Sequence, residues 1–293
     1  MSSVVVSSRD GTPDRIGDLV CGYLAEQCTV IIDAEPGLRA GENIVHSTRV
    51  AVRRLRSTVR VFADMFEEEP TAGLDAELVW WAGLLGAVRD MDILSARLAG
   101  RLAELPPELV LGRVQATIET ELAAERRKAA DAMLAGLDSE RYRKLIALIR
   151  RWRSDPPVTQ AADAAAEEMD GYVKKAKKKV SKRLKRSVAA VKAGDPADPL
   201  FHRARKATKR HRYSVEAAVP LWGSKAESIL EERKELQDLL GDHQDGVVSA
   251  AFLRALGASR GARSGQNGFT YGLLYAKEIA AGESLVADLK PYL

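Results

Sequence analysis

Five residues, His46, Arg49, Arg53, Arg56 and Arg60, recur at helical spacing within HSTRVAVRRLRSTVRVF (His46–Phe62). At about 100° per residue they form one stripe ~80° wide. Val52, Leu55, Val59 and Phe62 fall on the opposite side, where a core-facing stripe belongs. A row of guanidiniums can grip oxyanions through paired N–H donors. The stripe contains no Asp or Glu, so no i,i+4 ion pair neutralises it, and its mutual repulsion calls for an anion. A second stretch, HRARKATKRHRYSVEAA (His202–Ala218), repeats the pattern about 156 residues later, with His202, Arg205, Lys209 and Arg212 in matching positions. Glu216 stands where Arg60 stood in the first copy. Arg54, Lys206 and Arg210 add flanking cations.

A second pair of segments follows in the same order: LLGAVRD (Leu84–Asp90) and LLGDHQD (Leu239–Asp245). Two matched blocks imply an internal duplication of about 155 residues. A third basic element, KKAKKKVSKRLKR (Lys174–Arg186), sets Lys175, Lys179, Lys182 and Arg186 on one helical face, as a ligand contact or as a solvated surface.

Ala, Leu, Arg, Glu and Lys dominate, and the apolar spacing is 3 and 4 rather than 2, so these residues must be carried on helices. The pattern predicts helices over 14–34, 43–67, 71–104, 106–136 and 139–152, then 158–193, 199–219, 223–257 and 265–288. Ser154-Asp155-Pro156-Pro157 breaks the chain, and Ala193–Pro196 and Gly257–Gly268 read as loops. Asn43, and Asp198 followed by Pro199, are the expected N-caps of the two basic helices. That puts His46 and His202 near the first turns, where the helix dipole and free amides also favour anions. Both imidazoles should take up a proton more readily beside a polyanion.

The chain has 293 residues, 46% hydrophobic and 29% charged, with a net charge of +4. The small net charge hides an uneven distribution: residues 139–213 hold about 22 Lys and Arg against about 8 Asp and Glu. No apolar run reaches the length of a membrane span. Met1–Pro13 reads as a loose tail without a signal-peptide core, which makes the expected location cytoplasmic. Cys21 and Cys28, the two cysteines, would lie roughly 10 Å apart on one helix and are expected as free thiols.

The ordered set HSTRVAVRRLRSTVRVF, LLGAVRDMD, HRARKATKRHRYSVEAA and LLGDHQD resembles the two repeats of the CHAD domain, the conserved histidine α-helical domain. The resemblance covers nearly the whole chain from about residue 14. It implies an all-α fold of two tandem four-helix-bundle repeats, 14–153 and 154–293, related by a pseudo-twofold axis around a basic central groove or pore. It also implies non-catalytic binding of inorganic polyphosphate, association with polyphosphate granules and proximity to polyphosphate-metabolising enzymes, with no cofactor. That role falls on His46, Arg49, Arg53 and Arg56 with His202, Arg205, Lys209 and Arg212. Many members carry a triphosphate-handling CYTH domain ahead of the repeats. No Glu-x-Glu-x-Lys signature occurs here, so a stand-alone copy is expected.

Two other function classes compete. A nucleic-acid binder needs stacking platforms or groove-reading side chains, yet aromatics make up 5% of the chain and only Tyr213 interrupts the stripes. Weak, salt-sensitive cross-binding to nucleic acid is still expected from phosphate contacts alone. A metal-dependent phosphohydrolase would draw on His46, His202, Asp242 and His243, but the following arginines repel a divalent cation. Arg89, Asp90, Asp92, Asp242, His243 and Asp245 read either as such chemistry or, preferably, as acids that neutralise and orient the arginines of the basic helices. His211, at the position of Leu55, and the four tryptophans, Trp80, Trp81, Trp152 and Trp222, read as core or interface residues.

Overall fold

A computed structural model describes residues 13–260 and 268–293. The expected tail up to residue 12 and most of the expected Gly257–Gly268 loop lie outside these residues. The described chain is all-α, as expected. Its helices are α1 (Ile16–Asp33), α2 (Glu35–Arg39), α3 (Val45–Val61), α4 (Glu68–Ala103), α5 (Val114–Asp138), α6 (Glu140–Ser154), α7 (Met169–Ala193), α8 (Asp198–Ala217), α9 (Val219–Trp222), α10 (Ser224–Arg260), α11 (Phe269–Glu283) and α12 (Leu285–Asp288). Among the described residues no helix is long and apolar enough to cross a membrane. The 36 residues of α4 and 37 of α10 would suffice in length, but charges recur along both.

The described residues form two compact units, with the division falling inside α4, α5, α7, α8 and α10. One unit comprises 13–82, 136–180 and 206–235. In it α1 packs on α3 and α6. Ile16, Leu19, Val20, Leu24, Cys28 and Ile31 of α1 are buried there, as are the four expected core residues of α3, Val52, Leu55, Val59 and Phe62. Trp81 and Trp152 are fully buried, and Trp81 lies 4.9 Å from the Tyr142 ring. Trp80 and Trp222 are instead half-buried beneath the cations Arg141 and Lys225, each 4.5 Å from its ring. The other unit comprises 83–135, 181–205 and 236–293. Its core joins Leu94, Leu98 and Leu102 of α4 to Val114, Ile118 and Leu122 of α5, with Leu253, Leu256, Tyr271 and Leu274 from α10 and α11.

Helix boundaries differ from expectation where another backbone partner is available. The helix expected over 158–193 begins at Met169. Ahead of it, Val158 pairs with Phe66 and Ala165 with Arg15 in isolated antiparallel bridges. Glu67 N–H donates to Pro157 O at 2.9 Å and Ile16 N–H to Ala164 O at 3.0 Å, so these groups are satisfied across the chain rather than along a helix. The helix expected from 106 begins at Val114, because Pro106 and Pro107 lead into a 3-10 turn. Asn43 is not the cap of α3: Ile44 occupies that position and no side chain caps it. On α8, the Ala197 carbonyl accepts from Leu200 and Phe201, so Asp198 is the first helical residue rather than the cap. Gly194, at φ 77°, ends α7, where Asp195 N–H returns to Ala190 O at 2.9 Å.

Cys21 and Cys28 are free thiols on α1. Burial pushes the Cys28 thiol up to about 12. His211 is 1% exposed, and its Nδ1 has no hydrogen-bond partner. Burial first, then the charges of Arg233 and Lys177, push this imidazole down to about 3, so it is a neutral core residue.

Two predictions follow from this packing. A Cβ on Gly17 would sit 2.6 Å from the Ala162 carbonyl oxygen, a backbone atom that cannot swing aside. Gly17→Ala should therefore destabilise by about 1–3 kcal/mol despite its better helix propensity, read as a lowered denaturation midpoint. Because the folded His211 binds its proton far less readily than the unfolded one, the folded state loses stability as pH falls from about 6.5 towards 3. Replacing it by Leu, the residue at the matching position in α3, should flatten that loss by up to ~1.4 kcal/mol per pH unit in urea melts. Parallel pH dependence in the two proteins would refute the assignment.

Candidate functional site

The far sides of α3 and α8 carry the expected cations, and within the first unit the two helices form a recess of about 200 Å³. It is lined by Arg53, Arg56, Ser57 and Arg60 from α3 and by Lys206, Lys209 and Arg210 from α8. Six of its seven lining residues are cationic and none is acidic. Lys209 is only 8% exposed, so its ammonium sits in a confined part of the wall. The buried α3 face holds this arrangement: Val52, Leu55 and Val59 pack inward, while Thr58 donates to Arg54 O at 3.0 Å and anchors a turn of the same helix.

The α3 stripe, which holds no acid of its own, has a compensating anion within the fold that the sequence analysis did not single out. Asp75 of α4 reaches it from another helix: Arg56 Nε donates to Oδ1 at 3.0 Å, and Arg60 donates through Nε to Oδ1 at 3.2 Å and through Nη2 to Oδ2 at 2.6 Å. Burial pushes the Asp75 carboxyl up, but the hydrogen bonds from Arg60 and Arg56 outweigh it and hold the group below the usual range. Glu216 is a second counter-charge. It pairs with Arg54 at 2.7 Å and with Arg212 at 3.2 Å, and accepts the Tyr23 hydroxyl at 2.6 Å. Burial, then the adjacent Glu216 charge, raises the Tyr23 phenol. Burial opposes the charge on Arg54, yet its bond to Glu216 prevails and raises its pKa. Arg53 is held differently, by donating from Nε to the Tyr213 hydroxyl at 2.8 Å, while Arg53 and Arg54 both lie within 6 Å of the Tyr213 ring.

The expected residues therefore divide. Arg53, Arg56, Arg60, Lys206, Lys209 and Arg210 are brought together in the recess. Arg54 and Arg212 turn to Glu216. His46 is exposed and Arg49 half-buried on the first turns of α3, outside the recess lining. In the second unit, His202 Nδ1 lies 2.7 Å from Gln244 Oε1. Arg205 lies against Gly241, where a Cβ would be 3.5 Å from its Nη2. Lys175, Lys179, Lys182 and Arg186 of α7 are exposed and do not line the recess.

Polar side chains in and beside the LLGAVRD and LLGDHQD segments engage in ion pairs and hydrogen bonds. Asp92, just beyond the first segment, accepts from Arg126 Nε at 2.7 Å; Asp242 pairs with Arg97; His243 Nε2 lies 3.1 Å from Asp198. Asp92 and Asp242 thus each pair with an arginine, Arg126 of α5 and Arg97 of α4. Among the described residues, no three His, Cys, Asp or Glu side chains are grouped to hold a metal ion. Sequence reasoning missed Glu278, whose side chain is wholly buried and which accepts both Arg97 Nε at 2.9 Å and Arg97 Nη2 at 2.6 Å, with Arg101 at 3.3 Å. Burial would lower the Arg97 pKa, but its bonds to Glu278 and Asp242 raise it. It also missed Asp75. The one available signal was Glu216, the residue that departs from the repeat.

The comparisons with known proteins agree with this architecture. The CHAD-domain family model matches residues 22–254. Two uncharacterised proteins of Mycobacterium tuberculosis, from strains CDC 1551 and H37Rv, are each 33% identical over 291 residues, covering 96% of this chain and 53% of theirs. The chain thus spans about half the length of these relatives. PptA from Streptomyces chartreusis superposes with a TM-score of 0.77 at 22% identity, covering 95% of this chain and 99% of that one. The CHAD domain from the plant Ricinus communis superposes with a TM-score of 0.71 at 24% identity, covering 99% of this chain and 96% of that one. Its ordered sequence blocks, all-α fold and family match together make this chain a member of the CHAD-domain family.

Proposed function

We propose that this chain binds inorganic polyphosphate in the recess between α3 and α8 and does not turn it over. The observation that carries the reading is the lining itself: six cations from two helices, a serine and no carboxylate. A polyphosphate chain presents charge at close intervals along a flexible backbone, and guanidinium forks match its oxygens bidentately. Nothing in the lining is a carboxylate or imidazole that could serve as a general base for an attacking water. Recruitment to polyphosphate granules, and proximity to enzymes that make or consume the polymer, would follow from such binding.

Generic polyanion binding, nucleic acid included, is the second reading, favoured by the same cations. Against it, Tyr213, the aromatic within the stripes, is 2% exposed and already engaged by Arg53 and Arg54, so it offers no face on which a base could stack. The phosphohydrolase reading has less support, since His202, His243 and Asp242 each face a different partner.

Competition titration of labelled long-chain polyphosphate against single-stranded RNA, duplex DNA and pyrophosphate, at near-physiological salt, separates these readings. Polyphosphate should resist displacement by nucleic acid; equal displacement would reduce the site to a general polyanion surface. Combined neutralisation of Arg56, Lys206 and Arg210 to Gln should weaken binding at least about tenfold, and each lost contact should lower the salt slope by ~0.7. Lys128→Gln, an exposed change on α5 outside the lining, should leave affinity within about twofold. A well-folded triple variant with unchanged affinity would move the site away from this recess.

A further inference from the structure

The three arginines that α3 contributes to the recess are not held alike. Arg53 rests on the neutral Tyr213 hydroxyl. Arg56 and Arg60 are both bound to one carboxylate, Asp75, through three hydrogen bonds between 2.6 and 3.2 Å. Asp75 itself does not line the recess. Its side chain is 25% exposed, against 24% for Arg56 and 43% for Arg60, so solvent weakens these pairs without removing them. A phosphate chain entering the recess requires the donors that Asp75 already occupies, and it meets the negative field of that carboxylate. The hydrogen bonds from Arg60 and Arg56 keep Asp75 ionised well below neutral pH, so the competition persists through the physiological range.

We propose that Asp75 is the internal counter-ion that sets the affinity of the recess: it occupies Arg56 and Arg60 in the unliganded protein, and a phosphate chain recruits them by displacing it. This rests on the polyphosphate reading above and adds to it an attenuating residue. The arrangement has a structural benefit, because two neighbouring guanidiniums without a counter-charge would repel each other in the unliganded fold. Its consequence is a weaker ligand complex than the six cations alone would give. Glu216 differs in kind: its partners, Arg54 and Arg212, lie outside the lining, so ligand and carboxylate do not compete for the same donors.

Asp75→Asn and Asp75→Ser are compared with the wild-type protein, with folding checked by circular dichroism and thermal melting. The ligand is long-chain polyphosphate over a series of salt concentrations. Both variants should bind about three- to tenfold more tightly at each salt concentration, because the ligand no longer has to displace a carboxylate from Arg56 and Arg60. In an Arg56→Gln/Arg60→Gln background, the same Asp75 changes should have no effect, because their coupling runs through those side chains. Unchanged or weakened affinity in folded Asp75 variants would overturn this inference alone and leave the binding function standing. Failure of both wild-type and variant proteins to bind polyphosphate would overturn the parent reading with it. Binding by the variants alone would support the counter-ion role in its strongest form.

Discussion

Like-charge repulsion is the constraint around which the first unit is arranged. Arg53, Arg54, Arg56 and Arg60 crowd one side of α3, and Lys206, Lys209, Arg210 and Arg212 crowd α8. Left in water, such helices would separate. Apolar burial of the opposite α3 face, through Val52, Leu55 and Val59, supplies the opposing force. Two carboxylates and a tyrosine complete the balance. Glu216 draws Arg54 and Arg212 to one side, Tyr213 supports Arg53, and Asp75 gathers Arg56 and Arg60. What remains is a recess lined by six cations and a serine, with no acid in its wall. Folding therefore draws on the same side chains as the proposed binding.

The second unit handles buried charge by another route. Glu278 has no exposed side-chain surface, yet it accepts a two-pronged bond from Arg97, a longer one from Arg101 and a third contact from Ser249 at 3.2 Å. A carboxylate so enclosed is tolerated only when its lone pairs are filled. Gly246 permits the close approach, since a Cβ there would stand 3.1 Å from Arg97 Nη2. Around Glu278 the arginines meet carboxylates directly, whereas the wall of the recess in the first unit holds six cations and no carboxylate.

Much of this was legible before any coordinates. Helical spacing separated the apolar and cationic faces of α3 correctly, because burial and charge follow the same 3.6-residue period. The placement of His211 in the core followed from its match to Leu55, and both are buried. Boundaries were less legible. The 158–168 stretch has helix-compatible composition, but its backbone groups found partners in residues 14–16 and 65–67, and no local pattern announces a pairing across such separations.

The candidate site divides along the same line. The sequence by itself determined which residues are cations, that they recur in two helices, and that α3 presents them opposite an apolar face, since these are properties of spacing within one element. Only the tertiary structure decided which of them meet. It joined Arg53, Arg56 and Arg60 to Lys206, Lys209 and Arg210, left His46 and Arg49 outside the lining, and turned Arg54 and Arg212 towards Glu216. It also brought in Asp75, an acid from a third helix with no periodic relation to either stripe. The physical reason is that helical periodicity orients a side chain about its own axis, whereas its counter-charge is set by how neighbouring helices pack.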